Sequence, residues 1–216
     1  MRVEHIGDCT LYLGDCFAIV PTLQADAVLT DPPYGINIAA NPVRQKHKKS
    51  DWDASCPTDI ELQTILNAAP EQIIWGGNYF SLPATQRFLV WDKVQPENFS
   101  LAMCEQAWTN LKGPAKLFRR HVVSYDKSHP TQKPIELMEW CLGFLPNCRT
   151  ILDPFMGSGT TGVACARAGR AFIGVELDEG YFDIACERIR KAYAQPDMFI
   201  ERPAPAEQLS MLGGAE

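Results

Sequence analysis

The sequence lacks the features that define membrane proteins, disulfide-linked proteins and metalloproteins. No apolar run approaches about 18 residues, so no transmembrane helix is expected. The eight cysteines form no CxxC pair and fall mostly inside predicted strands or helices, which favours reduced thiols over a disulfide or zinc framework. The four histidines are scattered, and no metal site is expected. The first residues contain no apolar signal segment, which leads us to expect a cytoplasmic protein.

Short apolar runs alternate with amphipathic stretches along the chain. Its 216 residues, 46% of them hydrophobic, can bury one sizeable core. Strands are predicted at 9–14, 26–30, 72–76, 87–92, 104–110, 117–124, 150–154 and 171–176. Helices are predicted at 16–23, 58–68, 134–145, 160–168 and 179–194. This alternation predicts an α/β fold, Rossmann-like and doubly wound around a mainly parallel sheet.

Two segments stand apart from this pattern. Residues 36–57 have little periodicity and are predicted to form a mobile loop. Residues 196–216 are rich in Pro, Ala, Glu and Gly and are predicted to be a flexible tail. We therefore expect a single domain over residues 1–195.

The tetrapeptide Asp31-Pro32-Pro33-Tyr34 follows an apolar run, residues 25–30, that is typical of a buried strand. It offers a carboxylate, two prolines without a backbone N–H, and an aromatic ring. The Asp31 carboxylate and the Pro32 carbonyl could hold the two hydrogens of an aromatic amine such as adenine N6 and free its delocalised lone pair for attack. Tyr34 could stack on the base. An isolated string of this kind is more commonly a simple turn capped by an aspartate.

A second motif begins at the strand predicted over 150–154. Residues 153–162, DPFMGSGTTG, form a glycine-rich turn that leads into a helix of small residues and then into a strand ending at Glu176. Glu176 lies 19 positions after Gly157. This order of strand, glycine turn, helix, strand and acid predicts a nucleoside cofactor, because glycines admit a ligand close to the backbone and the acid can accept ribose hydroxyls.

Together the two motifs resemble those of amino-methyltransferases that use S-adenosylmethionine and act on DNA bases. Between them, residues 129–134 read HPTQKP, which resembles a third signature of that family. The catalytic motif comes first, then HPTQKP, then the glycine loop. That order resembles the β-class, a circular permutation with the cofactor half at the C-terminal side. The resemblance covers most of residues 9–195 and implies the circularly permuted methyltransferase fold.

The resemblance also implies the site residues. Asp31, Pro32, Pro33 and Tyr34 would be catalytic, acting on a base that has left the duplex, without a nucleophilic cysteine. S-adenosylmethionine would be held by nine residues: Asp15, Lys133, Asp153, Phe155, Gly157, Ser158, Gly159, Thr160 and Glu176. Asp15 matches a position that contacts the adenine of the cofactor, and Glu176 matches one that holds its ribose. The glycine loop and HPTQKP would surround its methionine end.

DNA as a partner has to be reconciled with a net charge of −6. Two basic regions nevertheless flank the proposed pocket, and their predicted DNA contacts are Arg44, Lys46, Lys48, Lys49, Arg119 and Arg120. Such runs are commonly only solvated surface. The family carries a target-recognition segment, for which this chain leaves about 20 residues near 110–130. The β-class resemblance is also compatible with a homodimer, encoded by a bacterium or a phage.

Several alternatives stay open. The methylated amine could be cytosine N4, although an Asp at the head of the tetrapeptide favours adenine by resemblance. Gly157, Gly159 and Gly162 satisfy GxGxxG, which taken alone favours a nicotinamide oxidoreductase but leaves the tetrapeptide and HPTQKP unexplained. A non-catalytic DNA-binding module is opposed by the intact Asp31, Tyr34 and Glu176. A methyltransferase acting on RNA or on protein glutamine would use similar residues.

Overall fold

A computed structural model describes residues 1–35, 56–98, 102–121 and 132–194. Several sequence predictions fall outside these ranges. They are most of the loop predicted at 36–57, the basic run at 44–49, much of the recognition segment at 110–130, the first three residues of HPTQKP and the tail at 196–216.

The described residues form one nine-stranded sheet with helices on both faces. The strands are β1 Arg2–Ile6, β2 Cys9–Leu13, β3 Ala27–Thr30, β4 Glu71–Trp75, β5 Phe88–Asp92, β6 Cys104–Thr109, β7 Lys116–Arg119, β8 Thr150–Asp153 and β9 Ala171–Glu176. The helices are α1 Cys16–Ile19, α2 Asp59–Leu66, α3 Ile135–Leu142, α4 Thr160–Arg167 and α5 Glu179–Ala194.

The strand order is β1-β2-β9-β8-β3-β4-β6-β5-β7. From β2 to β4, every neighbouring pair is parallel. β1 is antiparallel to β2, and β6 is antiparallel to both β4 and β5, whereas β7 runs parallel to β5. The predicted α/β fold with a mainly parallel sheet is therefore confirmed.

Helices cover both faces of the sheet, as a doubly wound fold requires. Leu29 and Ile73 belong to the core that also contains apolar residues of α3, α4 and α5. Their chain neighbours Val28 and Ile74 belong to a second core, shared with α1 and α2. Successive residues of a strand point to opposite faces, so strands buried on both faces consist of continuous apolar runs. This is why the central strands could be identified from the sequence.

The structure differs from the sequence prediction at three elements. β1 was not predicted, because it is an edge strand with charged, exposed residues. The helix predicted at 16–23 is α1 followed by a 3₁₀ turn, Val20–Thr22, which contains Pro21. Proline has no N–H to continue an α-helix, which accounts for the change. The strand predicted at 117–124 is β7, which ends at Arg119.

No helix in the described part of the chain has both the length and the apolar character needed to cross a membrane.

Candidate active site

The acidic residues singled out in the sequence gather at one edge of the sheet. Asp15 follows β2 and Asp31 follows β3, while Asp153 and Glu176 are the last residues of β8 and β9. These four strands are adjacent and parallel, so their carboxyl ends lie side by side. In open α/β sheets this edge is where ligands bind. The fold therefore joins the predicted catalytic and cofactor motifs, which are more than 100 residues apart in the chain, into one site.

The glycine loop and Glu176 are connected directly. Glu176 Oε2 accepts a hydrogen bond from the Gly157 amide at 2.9 Å, and Oε1 accepts one from the Asp178 amide at 2.8 Å. Burial raises the pKa of the Glu176 carboxyl to about 7, against the pull of these two amides. The site therefore contains an acid that changes its charge near neutral pH.

Two glycines of the loop have left-handed φ values but different surroundings. A Cβ on Gly157, at φ +52°, would meet nothing within 4 Å, so the backbone there borders open space at the carboxyl edge. A Cβ on Gly159, at φ +77°, would lie 2.9 Å from the Ala185 Cβ on α5. Gly159 thus allows the loop to pack against α5, whereas Gly157 leaves room for a ligand.

Asp153 joins the two halves of the site from inside the protein. Its carboxylate accepts hydrogen bonds from Thr30 Oγ1 and Thr161 Oγ1, both at 2.7 Å, and from the Phe155 amide at 3.1 Å. Thr30 directly precedes Asp31, and Thr161 lies in the first turn of α4. Burial raises the pKa of Asp153 to about 6. Through its three hydrogen bonds, Asp153 fixes the end of β3 relative to the glycine loop.

Arg188 of α5 holds the other polar residues of the loop. Its Nη1 donates to the Ser158 carbonyl at 2.5 Å, to Ser158 Oγ at 2.8 Å and to Thr160 Oγ1 at 3.3 Å. Ser158 and Thr160 are both buried, so their side chains support the loop from within. Burial lowers the pKa of Arg188 to about 10, and the residue was not identified from the sequence.

Asp15 and Phe155 lie at the β2–β9 end of the site. Asp15 caps α1 by accepting the Phe17 amide at 2.9 Å. The rings of Phe17 and Phe155 meet edge to face with their centroids 6.0 Å apart. Gly14, one residue before Asp15, donates its amide to the Glu176 carbonyl at 2.9 Å. These contacts bring Asp15, Phe155 and Glu176 to the same end of the site.

The tetrapeptide forms a buried polar cluster with the end of HPTQKP. The Tyr34 hydroxyl donates to Asp31 Oδ1, and the Lys133 ammonium contacts Asp31 Oδ2. Lys133 Nζ also lies 3.1 Å from the Tyr34 hydroxyl oxygen. Burial raises the pKa of Asp31, although the neighbouring ammonium opposes the rise. Lys133, which the resemblance assigns to the cofactor, contacts the tetrapeptide here, and its cofactor role stays a prediction.

A second acid, which the sequence did not reveal, completes this cluster. Glu105 of β6 lies between two ammonium groups, with Lys133 Nζ at 3.2 Å from Oε2 and Lys93 Nζ at 2.5 Å from Oε1. Burial opposes the ionisation of Glu105, but the two ammonium groups outweigh it and lower its pKa to about 2. The sequence did contain one signal for this ion pair. Glu105 is a charged residue in a strand that also contains the buried residues Ala107 and Trp108, and a charge in such a strand normally has a partner.

Two glycines allow close packing, Gly76 against Tyr34 and Gly77 against Trp108. Gly76 has φ +73°, and a Cβ there would overlap the Tyr34 ring. A Cβ on Gly77 would come within 2.5 Å of the Trp108 Cβ. The Tyr34 ring stacks on the Tyr79 ring at 4.8 Å between centroids and 14° between planes. The segment WGGNYF, residues 75–80, is therefore the wall against which the tetrapeptide packs.

Of the predicted DNA contacts, Arg119 and Arg120 lie in the described part of the chain. Arg119 Nε pairs with Asp92 Oδ2 at 3.0 Å, and Arg120 Nη1 pairs with Glu136 Oε1 at 2.9 Å. β7 runs in the same direction as β4, so both arginines lie at the same edge of the sheet as Asp31. The Arg119 side chain is 71% exposed, which leaves it accessible at that edge.

Sequence comparison finds a family model described as DNA methylase, which matches residues 66–187, more than half of the chain. A type II methyltransferase, M2.LlaDCHI of Lactococcus lactis subsp. cremoris, is 48% identical over 64 residues, 29% of this chain and 24% of that protein. M2.DpnII of Streptococcus pneumoniae is 45% identical over 71 residues, 32% of this chain and 26% of that protein. The matches thus span about a quarter of the length of these curated relatives.

Solved structures are similar to this protein over most of the chain. The crystal structure of an M1.HpyAVI–SAM complex is 26% identical with a TM-score of 0.57, and the alignment covers 84% of this chain and 98% of that one. PvuII DNA methyltransferase, described as cytosine-N4-specific, is 14% identical with a TM-score of 0.57 over 88% and 92% of the two chains, a likeness of fold alone. By its match to the family model over more than half of its length, this chain belongs to the N6/N4 DNA methylase family.

Proposed function

We propose that the protein is an S-adenosylmethionine-dependent DNA methyltransferase that acts on the exocyclic N6 amine of adenine. The observation that carries the proposal is the position of Asp31. Asp31 directly follows β3 at the carboxyl edge of the sheet. β3 is the neighbour of β8, the strand that leads into the Gly157 loop. An amine held by Asp31 would therefore be next to a ligand held by that loop and Glu176.

The residues at the β2–β9 end fit a nucleoside cofactor. The open space beside Gly157 admits a ligand close to the backbone, and the Glu176 carboxylate has lone pairs left for ribose hydroxyls beyond its two amide donors. Asp15 and Phe155 offer a carboxylate and a ring for a base. When bound, S-adenosylmethionine supplies a methyl group on a sulfonium sulfur, which leaves as a neutral thioether.

Asp31 and the Pro32 carbonyl orient the attacking amine. An amine hydrogen bonded to each acceptor moves toward tetrahedral geometry, so its lone pair becomes available to form the new nitrogen–carbon bond. The nitrogen becomes positively charged as that bond forms and afterwards loses one of its protons to the solvent. A carboxylate beside the nitrogen stabilises this charge, and orientation supplies much of the remaining acceleration.

The aromatic wall is suited to an extruded base. Tyr34 and Tyr79 form a stack, and Tyr79 is 46% exposed, so a planar base can stack at this wall. Base–aromatic stacking contributes about 1–3 kcal/mol per base. The amine cannot be reached inside a duplex, which requires the base to leave the helix. Arg119 and Arg120 at the same edge, together with the basic run at 44–49, are proposed to contact DNA phosphates.

Two further parts of the proposal concern the target base and the oligomeric state. The choice of adenine over cytosine N4 rests on Asp31 at the head of the tetrapeptide. A homodimer rests on the β-class resemblance alone. The bacterial sources of the two curated relatives support a cytoplasmic enzyme encoded by a bacterium or a phage.

The test is incubation of the protein with labelled S-adenosylmethionine and unmethylated DNA, followed by digestion and nucleoside analysis. We expect N6-methyladenine. Recovery of N4-methylcytosine alone would overturn the base assignment and keep the class of reaction. Calorimetry that finds NAD binding and no S-adenosylmethionine binding would overturn the class of enzyme. RNA and protein substrates run in parallel distinguish DNA from the other open alternatives.

A further inference from the structure

Four alternating charges form a line that ends at the proposed catalytic aspartate. From β5 to β3 they are Lys93, Glu105, Lys133 and Asp31, joined by three ion-pair contacts. The Lys133 side chain is only 4% exposed, so its ammonium depends on these two acids for compensation. Lys133 therefore contacts a catalytic and a non-catalytic carboxylate at the same time.

The contact between Lys133 and Asp31 works against the proposed reaction. Both Asp31 oxygens are engaged, Oδ1 by the Tyr34 hydroxyl and Oδ2 by the ammonium. An ammonium on Oδ2 competes with the base amine for the acceptor. It also places a positive charge beside a nitrogen that becomes positive as the methyl group is transferred. Although each carboxylate oxygen has a second lone pair, Asp31 is the better acceptor for the amine once the ammonium has moved away from Oδ2.

Glu105 provides the place to which the ammonium can move. Its Oε2 is already 3.2 Å from Lys133 Nζ, so a shift of the ammonium toward Glu105 needs little movement of the lysine. Lys93 holds the other oxygen of Glu105 at 2.5 Å and keeps the carboxylate oriented toward Lys133. Two cations and two acids leave the cluster neutral, and the shift changes no net charge.

We propose that Glu105 is a positioning residue that takes the Lys133 ammonium from Asp31 when the base amine binds. The inference rests on the proposed function, because it presumes that Asp31 holds that amine. Glu105 itself acts only through Lys133 and touches no reacting atom. Without the charge of Glu105, the Lys133 ammonium should pair with Asp31 alone. Asp31 then ionises more easily but is a poorer acceptor for the amine.

The test compares Glu105→Gln with Glu4→Gln as a matched control. Glu4 has a similarly buried side chain, 27% exposed against 24% for Glu105, and it also pairs with two cations, Arg2 and Arg190. It lies in β1, at the far edge of the sheet. The rate constant for a single turnover is measured from pH 5 to pH 9 with saturating S-adenosylmethionine and DNA. Thermal unfolding identifies any variant that fails to fold.

For Glu105→Gln we expect a plateau rate about tenfold to a hundredfold below wild type, the range for one charged hydrogen bond. The acid limb of its profile should move to lower pH. The titratable groups that face Asp31 are Lys133, Glu105, Tyr34 and Asp153. Glu4→Gln should keep the wild-type plateau rate, and its acid limb should stay at the wild-type pH. A purely structural role for Glu105 would lower the active fraction without moving the limb.

A limb that moves to higher pH, or a rate equal to wild type, would overturn the inference while the methyltransferase proposal stands. A wild-type protein that methylates no DNA base overturns both. The carboxyl ¹³C resonance of Asp31 can be titrated without turnover, and the same spectrum shows whether the variant is folded. Its midpoint in the free protein should fall in Glu105→Gln and stay unchanged in Glu4→Gln. A midpoint that rises in Glu105→Gln contradicts the proposed pull of Glu105 on Lys133.

Discussion

Binding of S-adenosylmethionine should be coupled to the ionisation of Glu176. Burial raises the pKa of this carboxyl from an ordinary 4.5 to about 7 in the free protein. Ribose hydroxyls donate to a carboxylate better than to a carboxylic acid, so binding should favour the ionised form. With a pKa of about 7, roughly one tenth of the protein is ionised at pH 6 and about nine tenths at pH 8. Affinity should therefore be about tenfold higher at pH 8 than at pH 6.

Isothermal titration calorimetry between pH 5.5 and pH 8.5 measures this dependence, and buffers of different ionisation enthalpy count the protons released. The control is Glu176→Gln, which keeps the shape of the side chain but cannot titrate. It should bind more weakly and lose the dependence, so that any titration of the ligand itself remains visible as a background. Asp153, with a pKa of about 6, titrates in the same range, and Asp153→Asn separates its contribution. An affinity that is flat across this range, or a Glu176→Gln variant that retains the wild-type dependence, would refute the reasoning.

Three further predictions follow from the loop, the aromatic wall and the basic run. Gly157→Ala should weaken S-adenosylmethionine binding and lower stability only by the strain of its left-handed backbone. Gly159→Ala should lower the melting temperature further, because its Cβ would meet Ala185. Equal shifts in the melting temperatures of the two variants would contradict this. Tyr34→Ala should raise the Kd for DNA carrying an unpaired target base more than it lowers the single-turnover rate, as fluorescence of a base analogue would report. Replacing the three lysines of the run at 44–49 with Glu should weaken DNA binding and flatten its salt dependence, with cofactor affinity unchanged; unaltered affinity at low salt would make the run ordinary surface.

The common position of the candidate residues at one edge of the sheet could be predicted from the sequence, whereas the contacts among them could not. Asp31 and Glu176 could be placed together because each follows an apolar run, and the carboxyl ends of neighbouring parallel strands share one edge. Glu105 and Lys93 could not be found in the same way. Their contact depends on the antiparallel register of β5 and β6, which no local pattern specifies.

The edges of the sheet were the least predictable part of the fold. β1 has polar residues at three of its five positions, and its stability comes from pairing with β2 and from ion pairs such as Glu4 with Arg190. Those partners are distant in the sequence, so local propensity alone gave no strand. Tertiary contacts also explain why residue 76 is a glycine, because the Tyr34 ring packs where a Cβ on Gly76 would lie. Neither fact is visible without the fold.

The most direct test of the central claim is the single-turnover rate of Asp31→Asn on unmethylated DNA. The substitution keeps the shape of the side chain and leaves Glu105 to compensate Lys133, so the protein should fold and bind both S-adenosylmethionine and DNA. It removes the charged acceptor that orients the amine and stabilises its developing charge. The rate of N6-methyladenine formation should fall by about two to three orders of magnitude while both dissociation constants change little. Undiminished single-turnover methylation by Asp31→Asn would contradict the account.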